Sequence, residues 1–308
     1  MNWDPEQSSI SIGICAYNEE KNIGSLLENL LCKQNLPERS EIIVACSGCT
    51  DRTPEIVEGF MRKDKRVRLI LERERTGKAP ALNRILSIYD GKIFVHLDAD
   101  HIPEPGALGL LLKHFRDPEV GAVSGHQIPV QLDSFMGKIC RVIWGLHNET
   151  QSYYDRKGEA QHLGGVLFAI KRGVCDRVPE DIVNDDAYMG VVCRARRYKV
   201  AFEKNAVAAF RGPETVFDYV NQRRRVVYGH LRVKKETTIS PMVLEASPLR
   251  DKVLILSRWL KENWRLAHYL LAAVFLEAVV NVMARFDLAK KKNIHKVWKI
   301  ATTTKNKL

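Results

Sequence analysis

Two pairs of acidic side chains in this sequence have spacings that suit metal or proton chemistry. Asp98 and Asp100 follow the apolar segment 92–97, and Asp185 and Asp186 stand directly before an apolar helical segment. Carboxylates at positions i and i+2 of one loop can share a divalent cation that bridges a diphosphate. An Asp-x-Asp triplet is also common in solvated turns, so this triplet needs supporting residues elsewhere in the chain.

The neighbours of these carboxylates leave more than one role open. His101 follows the first pair and is either a third metal ligand or a structural histidine behind the ligands. In the second pair, one carboxylate is expected to cap the N-terminus of the helix that follows. The other would then project freely, and a free carboxylate beside an acceptor hydroxyl has the properties of a general base.

Basic side chains occur where an anionic ligand would need them. Lys78 opens a predicted helix after Gly77, and a helix N-terminus is a favourable place for a phosphate. Gln222 and Arg225 lie three apart on a predicted helix and share one face, from which a guanidinium can bind a diphosphate through two parallel hydrogen bonds. The alternative for the run 223–225 is a solvated basic helix surface.

The elements that must position these side chains alternate along the first half of the chain. Short β-branched runs predict strands at 10–15, 41–46, 67–71, 92–97 and 120–124. Amphipathic stretches between them predict helices at 21–33, from Pro54 with Thr53 as N-cap, at 78–89 and at 105–115. This alternation is typical of a parallel sheet covered by helices.

Polar segments follow three of these strands, at 17–20, 47–51 and 98–100. In an open α/β sheet the ligand lies at the carboxyl ends of the strands. We therefore expect these three segments to form one ligand site.

The alternation breaks beyond about residue 130. There we expect a long helix at 134–157, a turn at Gly164-Gly165, a helix after Asp185-Asp186 and a helix from Thr215 to about Lys235. These elements carry the second acidic pair and the Gln222–Arg225 face, and a shared site requires that Asp98, Asp100 and Asp186 converge on one pocket.

Composition and charge limit the classes of function. With 45% hydrophobic and 28% charged residues and no long Pro, Gly or Ser tract, the chain is expected to be a folded enzyme rather than a disordered or repeat protein. The net charge of +11 implies an anionic partner, which is nucleic acid, a phosphate-bearing substrate or an acidic lipid surface. From Asp251 to Leu308 there are twelve Lys and Arg against four Asp and Glu, so the excess lies at the C-terminal end.

Cysteine usage and the N-terminus indicate the compartment. The seven cysteines are scattered and odd in number, and the first nine residues have no basic start followed by an apolar run. We therefore expect no signal peptide and a reducing environment. Cys46 and Cys49 form a Cys-x-x-Cys pair, but no second pair follows at zinc-finger spacing, so metal or redox use of this pair is the minor interpretation.

Seven short motifs occur in order between Ile10 and His230. They are Cys15-Ala16-Tyr17-Asn18-Glu19, SGCTDRT at 47–53, GKAPALN at 77–83, Asp98-Ala99-Asp100, Gly164-Gly165, Asp185-Asp186, and QRRRV at 222–226. In this order they resemble the motifs of the family 2 inverting glycosyltransferases, the group that includes dolichyl-phosphate mannose synthases and hyaluronan, chitin and cellulose synthases. The resemblance implies a GT-A fold, which is a Rossmann-like, mostly parallel sheet with helices on both faces, here followed by a C-terminal helical appendage.

The resemblance also implies roles for particular residues. The nucleotide-sugar donor would contact Cys15, Ala16, Tyr17, Glu19, Ser47, Lys78, Asp98 and Ala99. Asp98 and Asp100 would bind Mg²⁺ or Mn²⁺, and Asp186 would be the catalytic base. Gln222 and Arg225 would lie near the diphosphate or the acceptor. The base would deprotonate the acceptor hydroxyl, which attacks the anomeric carbon in line and inverts its configuration.

Two departures from the family motifs affect the substrates. Cys46-Ser47 stand where the family usually has the aspartate that meets the base, which leaves the choice between UDP- and GDP-sugars open. Val226 replaces a tryptophan that contacts the growing polymer in processive synthases, which favours a single addition.

The segment 240–249 is loop-like and contains two prolines, so we place a domain boundary there. The catalytic domain would then comprise 1–239, and the basic helical appendage 240–308. Within the catalytic domain, the nucleotide-binding half would be about 1–125 and the acceptor half about 126–239.

The appendage contains the apolar segment 265–286, whose 22 residues are enough to cross a bilayer. Glu277, Asn281 and Arg285 fall at i, i+4 and i+8 and form one polar stripe. Such a stripe is costly against lipid, so it favours an interfacial helix or one packed on another helix. An amphipathic helix docked on the catalytic domain is therefore the alternative to a membrane contact.

Flanking residues favour the membrane. The aromatic and cationic side chains suited to an anionic leaflet are Trp259, Trp264, Trp298 and Lys290-Lys291-Lys292. We expect a peripheral or monotopic protein at the cytoplasmic face of a membrane. Its partners would be a UDP- or GDP-sugar donor, a lipid-linked acceptor such as a polyprenyl phosphate, or a glycan acceptor, and no nucleic acid.

Two other classes of function compete with this interpretation. One is a nucleic-acid-binding protein that uses the basic helices at 194–199 and 223–235, but its aromatic residues are not interleaved with basic ones as a stacking surface requires. The other is a non-catalytic nucleotide-sugar binder, which would bind the donor without turnover.

Overall fold

The computed structural model describes residues 9–130, 133–160 and 162–290. In these residues eight strands form one sheet in the order β3-β2-β1-β4-β7-β6-β8-β5. The strands are β1 (Ile10–Ala16), β2 (Ser40–Ser47), β3 (Val67–Glu72), β4 (Ile93–Leu97), β5 (His101–Pro103), β6 (Val120–Val130), β7 (Leu167–Lys171) and β8 (Lys199–Arg211). Three of the predicted membrane anchors lie outside the described residues, namely Trp298, Lys291 and Lys292.

The helices of the described residues cover the sheet and extend beyond it. They are α1 (Ile23–Lys33), α2 (Thr53–Met61), α3 (Lys78–Leu86), α4 (Ala107–Leu112), α5 (Phe135–Arg156), α6 (Asp185–Ala195), α7 (Val216–Thr237), α8 (Leu249–Asn263) and α9 (Ala267–Ala289). Short 3₁₀ segments occupy Lys113–Arg116, Leu244–Ala246 and Trp264–Leu266.

The predicted α/β fold with a mostly parallel sheet is confirmed. Strands β2, β1 and β4 run parallel to their neighbours in the first half, and β6 runs parallel to β8. Strand β7 is antiparallel to both β4 and β6, and β5 is antiparallel to β8. The antiparallel β7 joins the two halves of the sheet and places the segment before it next to the end of β4.

Both faces of the sheet are buried, which explains the continuous apolar runs in β1 and β2. Ile12 and Ile14 pack with α1 and α4 on one face, while Ile43 and Phe94 pack with α3 and α6 on the other. The carboxyl ends of the strands therefore remain as the edge at which polar side chains gather.

Local hydrogen bonds define the starts of α2, α5 and α7, and one of them corrects a predicted N-cap. The helices predicted to begin near Ser134 and Thr215 are α5 and α7, and the hydroxyls of Ser134 and Thr215 cap them by accepting from the N–H groups of Gly137 and Asp218. The predicted N-cap at Thr53 is wrong, because Thr53 is the first residue of α2 and Asp51 accepts a hydrogen bond from its N–H at 3.0 Å. The carboxylate two residues earlier thus replaces the threonine hydroxyl as the acceptor at this helix start.

Helix α9 packs on α7 through two largely buried ion pairs. Arg223 of α7 donates from Nε and Nη2 to the two carboxylate oxygens of Glu277 in α9, each at 2.8 Å, and Tyr219 donates its hydroxyl to the same carboxylate at 2.5 Å. Arg224 forms a second pair with the buried Asp287. Of the predicted polar stripe, Glu277 therefore faces α7, whereas Arg285 is exposed.

We predict that Glu277→Ala lowers the free energy of unfolding by about 3 kcal/mol, because the largely buried Arg223 guanidinium loses its two-point partner and keeps only the more exposed Glu245 at 3.4 Å. Urea unfolding followed by circular dichroism measures this change. Glu262→Ala removes an exposed carboxylate of α8 and serves as the matched control. Equal stabilities of the two variants would show that the Arg223–Glu277 pair does not hold α9 in place.

Candidate active site

A cavity of about 940 Å³ opens at the carboxyl ends of β1, β2 and β4, and its further walls come from α5, α6, α7 and α9. Every residue that the sequence predicted for the site lines this cavity. These residues are Cys15, Ala16, Tyr17, Glu19, Ser47, Lys78, Asp98, Ala99, Asp100, Asp186, Gln222 and Arg225. The structure thus brings together residues from both halves of the chain.

Lys78 lies between the two acidic pairs. Its Nζ is 2.9 Å from Oδ1 of Asp98 and 3.4 Å from Oδ2 of Asp185. Burial alone would lower the pKa of Lys78, but the carboxylates of Asp185 and Asp98 outweigh it and hold this pKa above its usual range. The ammonium is therefore charged, and it links the loop after β4 to the start of α6.

Asp98 is held as a carboxylate by its neighbours. Burial would raise the pKa of Asp98, but Lys78 and then His96 outweigh it and hold this pKa well below its usual range. The Nε2 of His96 is 3.2 Å from Oδ1 of Asp98. His96 is fully buried in β4, two residues before Asp98, and stacks on Phe168 of β7.

Asp100 and His101 form the second part of the acidic cluster. The Nδ1 of His101 is 2.7 Å from Oδ1 of Asp100, and its ring stacks on Phe210 of β8 at a centroid distance of 4.9 Å. Asp98, Asp100 and His101 offer ligand atoms that all lie within 4.8 Å of one another. Carboxylate oxygens with one imidazole are a suitable set for Mg²⁺ or Mn²⁺.

Asp186 lies on the first turn of α6 against the Gly164-Gly165 segment. A Cβ at Gly165 would stand 2.6 Å from Oδ2 of Asp186, so only glycine leaves room for the carboxylate. Burial first, and the neighbouring Asp185 second, raise the pKa of Asp186 to about 7. A carboxylate with this pKa can both accept and release a proton near neutral pH.

The capping role expected for one of these two aspartates is wrong. Asn184 occupies the N-cap position of α6, so both aspartates lie within the first turn. Asp185 is needed instead as the partner of Lys78. The Asn184 side chain donates to the carbonyl of Val226 in α7 at 3.0 Å, which fixes the start of α6 relative to α7.

The three consecutive arginines of α7 have different partners. Arg223 and Arg224 bind the carboxylates of α9. Arg225 instead interacts electrostatically with Asp98 and Asp185. Burial lowers the pKa of Arg225, and these carboxylates oppose that effect. The alternative of a solvated basic surface for 223–225 therefore does not describe this helix, since all three side chains face protein or cavity.

The end of the cavity near β1 and β2 is built around Tyr17. The Arg75 guanidinium lies 3.9 Å from the centroid of the Tyr17 ring. Ser47 holds the loop that carries Arg75, because its hydroxyl donates to the Glu74 carbonyl and accepts from the Thr76 N–H, both at 3.4 Å. The stacked pair forms a flat cationic and aromatic surface of the kind on which a planar base can lie.

Sequence reasoning missed several residues of this site. His96 shares a strand face with Asp98 through the two-residue strand period, and this signal was available. Arg75 lies in a charged run, 72–75, in which no spacing distinguishes it from its neighbours. The sequence indicates a capping role for one of Asp185 and Asp186, whereas Asp185 forms an ion pair with Lys78. That pair joins two segments more than 100 positions apart, so no local pattern predicts it.

The comparisons with solved structures show the fold. The mannosyltransferase PcManGT from Pyrobaculum calidifontis, solved in complex with GDP-Man and Mn²⁺, has a TM-score of 0.59 at 21% identity, and the match covers 92% of this chain and 75% of that one. Glucosyl-3-phosphoglycerate synthase from Mycobacterium tuberculosis, solved with Mn²⁺, UDP and phosphoglyceric acid, has a TM-score of 0.52 at 20% identity and coverages of 74% and 78%. Both likenesses confirm the predicted glycosyltransferase-type α/β fold.

Sequence comparisons identify the family. A probable glycosyltransferase of Bacillus subtilis, YdaM, is 26% identical over 239 residues, which are 73% of this chain and 56% of that protein. The chain spans between 38% and 56% of the length of this and two further curated relatives. The sequence model of the family described as Glycosyl transferase family 2 matches residues 11–178. Because that match covers more than half of the chain, the chain belongs to glycosyl transferase family 2.

Proposed function

We propose that this chain transfers a sugar from a UDP- or GDP-sugar to a hydroxyl or phosphate of an acceptor, with inversion at the anomeric carbon. The observation that carries the proposal is that Asp98, Asp100 and Asp186 line one cavity together with Lys78 and Arg225. A site with three carboxylates and two cations suits two substrates together, a donor with a diphosphate and an acceptor that gives up a proton. The donors bound by the Pyrobaculum and Mycobacterium structures support the choice of nucleotide-sugars.

Asp98 and Asp100 would hold a divalent cation, Mg²⁺ or Mn²⁺, which when bound neutralises charge on the diphosphate. The close spacing of their ligand atoms with that of His101 fits such an ion. Lys78 and Arg225 would stabilise the negative charge that develops on the departing diphosphate. Tyr17 and Arg75 would hold the base of the nucleotide at the other end of the cavity.

Asp186 would accept the proton of the acceptor hydroxyl. The acceptor oxygen then forms its bond to the anomeric carbon while the bond from that carbon to the diphosphate oxygen breaks, and the electron pair leaves with the diphosphate. Because attack and departure occur on opposite sides of the carbon, the configuration inverts. The raised pKa of Asp186 matches the requirement of a base that works near neutral pH.

The surface beside the cavity supports a membrane-bound acceptor. Exposed apolar side chains of α9 and its surroundings are Phe135, Val216, Phe217, Trp264, Leu271, Val274, Phe275, Val282 and Phe286. Val274 and Phe217 also line the cavity, so its rim is part of this apolar surface. The stretch Leu249–Ala289 is long and apolar enough to cross a bilayer, but the buried ion pairs of α9 with α7 favour a helix that lies on the surface.

Anionic lipid is the occupant that we propose for this surface. Most of these apolar side chains belong to the sequence segment from Asp251 to Leu308, whose net charge is +8. Apolar groups next to a basic segment bind anionic leaflets by burial and by charge together. A lipid-linked acceptor held in the leaflet would then reach the cavity from its apolar rim.

The first prediction for this function concerns the metal. Asp100→Ala should abolish the Mn²⁺-dependent part of UDP or GDP binding, because one of two carboxylates in the cluster is lost. Isothermal titration of the nucleotide with and without Mn²⁺ measures this effect. Asp90→Ala, at an exposed aspartate after α3, should bind as the unaltered protein does. Retention of metal-dependent binding in Asp100→Ala would exclude Asp100 as a ligand.

The second prediction concerns the base. Asp186→Asn should reduce turnover by about 10²–10⁴-fold and keep donor affinity, because the amide preserves the shape of the side chain but accepts no proton. In the unaltered protein the rate should rise with pH through about 7, since the active form of Asp186 is the carboxylate. The measurement is nucleoside diphosphate release as a function of pH. Wild-type turnover in Asp186→Asn would remove Asp186 from the mechanism, and donor binding without turnover in the unaltered protein would indicate a non-catalytic binder.

The third prediction concerns the membrane. Helices α8 and α9 contribute buried side chains such as Trp259 and Ala273, so point changes test the contact better than truncation. Leu271→Glu should weaken co-sedimentation with vesicles that contain phosphatidylglycerol, because it places a charge on the exposed apolar face. Leu71→Glu is the matched control, since Leu71 on β3 is also exposed, at 61% against 75% for Leu271. Equal sedimentation of the two variants, or self-association instead of vesicle binding, would contradict the lipid contact.

A further inference from the structure

A second group of polar side chains lines the cavity and takes no part in the chemistry proposed above. His147 and Gln151 come from α5, His162 from the segment before β7, and His230 from α7. Trp144 of α5 adjoins them, with its ring edge-on to that of His147 at a centroid distance of 5.2 Å. Residues from three separate elements thus converge on one part of the cavity wall.

The three histidines form a continuous row. The ring centroids of His147 and His162 are 5.4 Å apart at 79°, and those of His162 and His230 are 5.2 Å apart at 80°. This edge-to-face arrangement is favourable between aromatic rings and holds the plane of each imidazole. The row is therefore a built surface with defined polar atoms.

Two of these polar atoms have no protein partner among the described residues. Nε2 of His147 and Nδ1 of His162 are buried and accept or donate no hydrogen bond there. His162 as a whole is only 3% exposed, yet it contributes to the cavity wall. Buried polar atoms without a partner cost free energy unless a ligand or water satisfies them.

The row is also uncharged. Burial lowers the pKa of His162 to about 4 and holds the pKa of His147 and of His230 well below the usual range. The Arg223 guanidinium lowers these pKa values further, and its Nε and Nη2 both donate to the Glu277 carboxylate. A neutral imidazole offers one donor and one acceptor, which is also what a hydroxyl group offers.

We propose that this part of the cavity, the histidine subsite, binds a sugar ring of the acceptor through its hydroxyl groups, so that the acceptor is a glycoside rather than a bare phosphate. This proposal rests on the proposed function. Trp144 would supply an aromatic face for the apolar side of the ring, and Gln151 a further amide. The neutral surroundings disfavour a phosphate, whose charge would be buried without a free cation of the subsite to pair with it.

The position of the subsite fits an acceptor role. His162 precedes Gly165 by three residues, and the Asp186 carboxylate packs directly against Gly165. A sugar ring on the histidine row would therefore lie in the same cavity as the proposed base. The apolar rim at Val274 and Phe217 would accommodate an aglycone that extends toward the membrane.

The test titrates the full chain with soluble acceptor analogues below their micelle concentration, with UDP or GDP and Mn²⁺ present. The analogues are octyl glucoside, octyl galactoside, octyl mannoside and octyl phosphate. At least one glycoside should bind, and His162→Ala should weaken it about tenfold, the effect of about one lost hydrogen bond in a buried site. Nucleotide affinity should stay unchanged, which also shows that the variant is folded.

The controls separate the two proposals. His268→Ala removes an exposed histidine of α9 outside the cavity and should leave glycoside affinity unchanged. If His162→Ala lowers nucleotide affinity, Gln151→Leu replaces it as the deciding variant. Three outcomes would each overturn the histidine subsite and leave the donor site intact. They are nucleotide binding without binding of any glycoside, binding of octyl phosphate alone, and unchanged glycoside affinity in the deciding variant. Glycoside binding that depends on His162 without any nucleotide binding would overturn the proposed function instead.

Discussion

The position of the largely buried Lys78 ammonium between two carboxylates from distant segments determines the geometry of the whole site. Asp98, Asp100, Asp185 and Asp186 crowd the same cavity, and like charges at this spacing repel unless cations separate them. Lys78 supplies that separation, because it contacts the loop after β4 and the start of α6 at once. The sheet brings the segments near one another, and this contact fixes their final positions.

The same constraint extends to the C-terminal helices through α7. Arg225 faces the acidic cluster, while the two arginines before it are held by carboxylates of α9. A rotation of α7 that released Arg223 and Arg224 would also withdraw Arg225 from the cavity, since residues on one helix turn together. Helix α9 is therefore a structural support of the site as well as a candidate membrane contact, and Ala273 and Glu277 form part of the cavity wall.

Much of the catalytic edge follows from the sequence because its residues occupy short motifs that end predicted strands. Strands β1, β2, β3 and β4 lie within two residues of their predicted bounds, since each is a short apolar run between turn residues. Strands β5, β7 and β8 were not predicted. Strand β8 carries Glu203, Lys204 and Asn205 in its middle, where its register with β6 shifts, so its strand pattern is interrupted. The histidine subsite has no sequence signal at all, because its members come from three elements without a common spacing.

The arrangement of polarity around the cavity restricts the acceptor more than any single residue does. Charged groups cluster at the strand ends and on the facing arginines of α7, uncharged polar groups lie along α5 and at His162 and His230, and apolar side chains form the rim at α9. A molecule that satisfies all three regions must have a hydroxyl near the carboxylates, a neutral polar body and an apolar end. Leu270 faces the cavity while its neighbour Leu271 is exposed, so only the width of one helix, about 10 Å, separates the cavity from the apolar surface. Under the proposed function, an amphiphilic glycoside would bridge that distance with its apolar end in a leaflet, whereas a small soluble acceptor would leave the apolar rim without a partner.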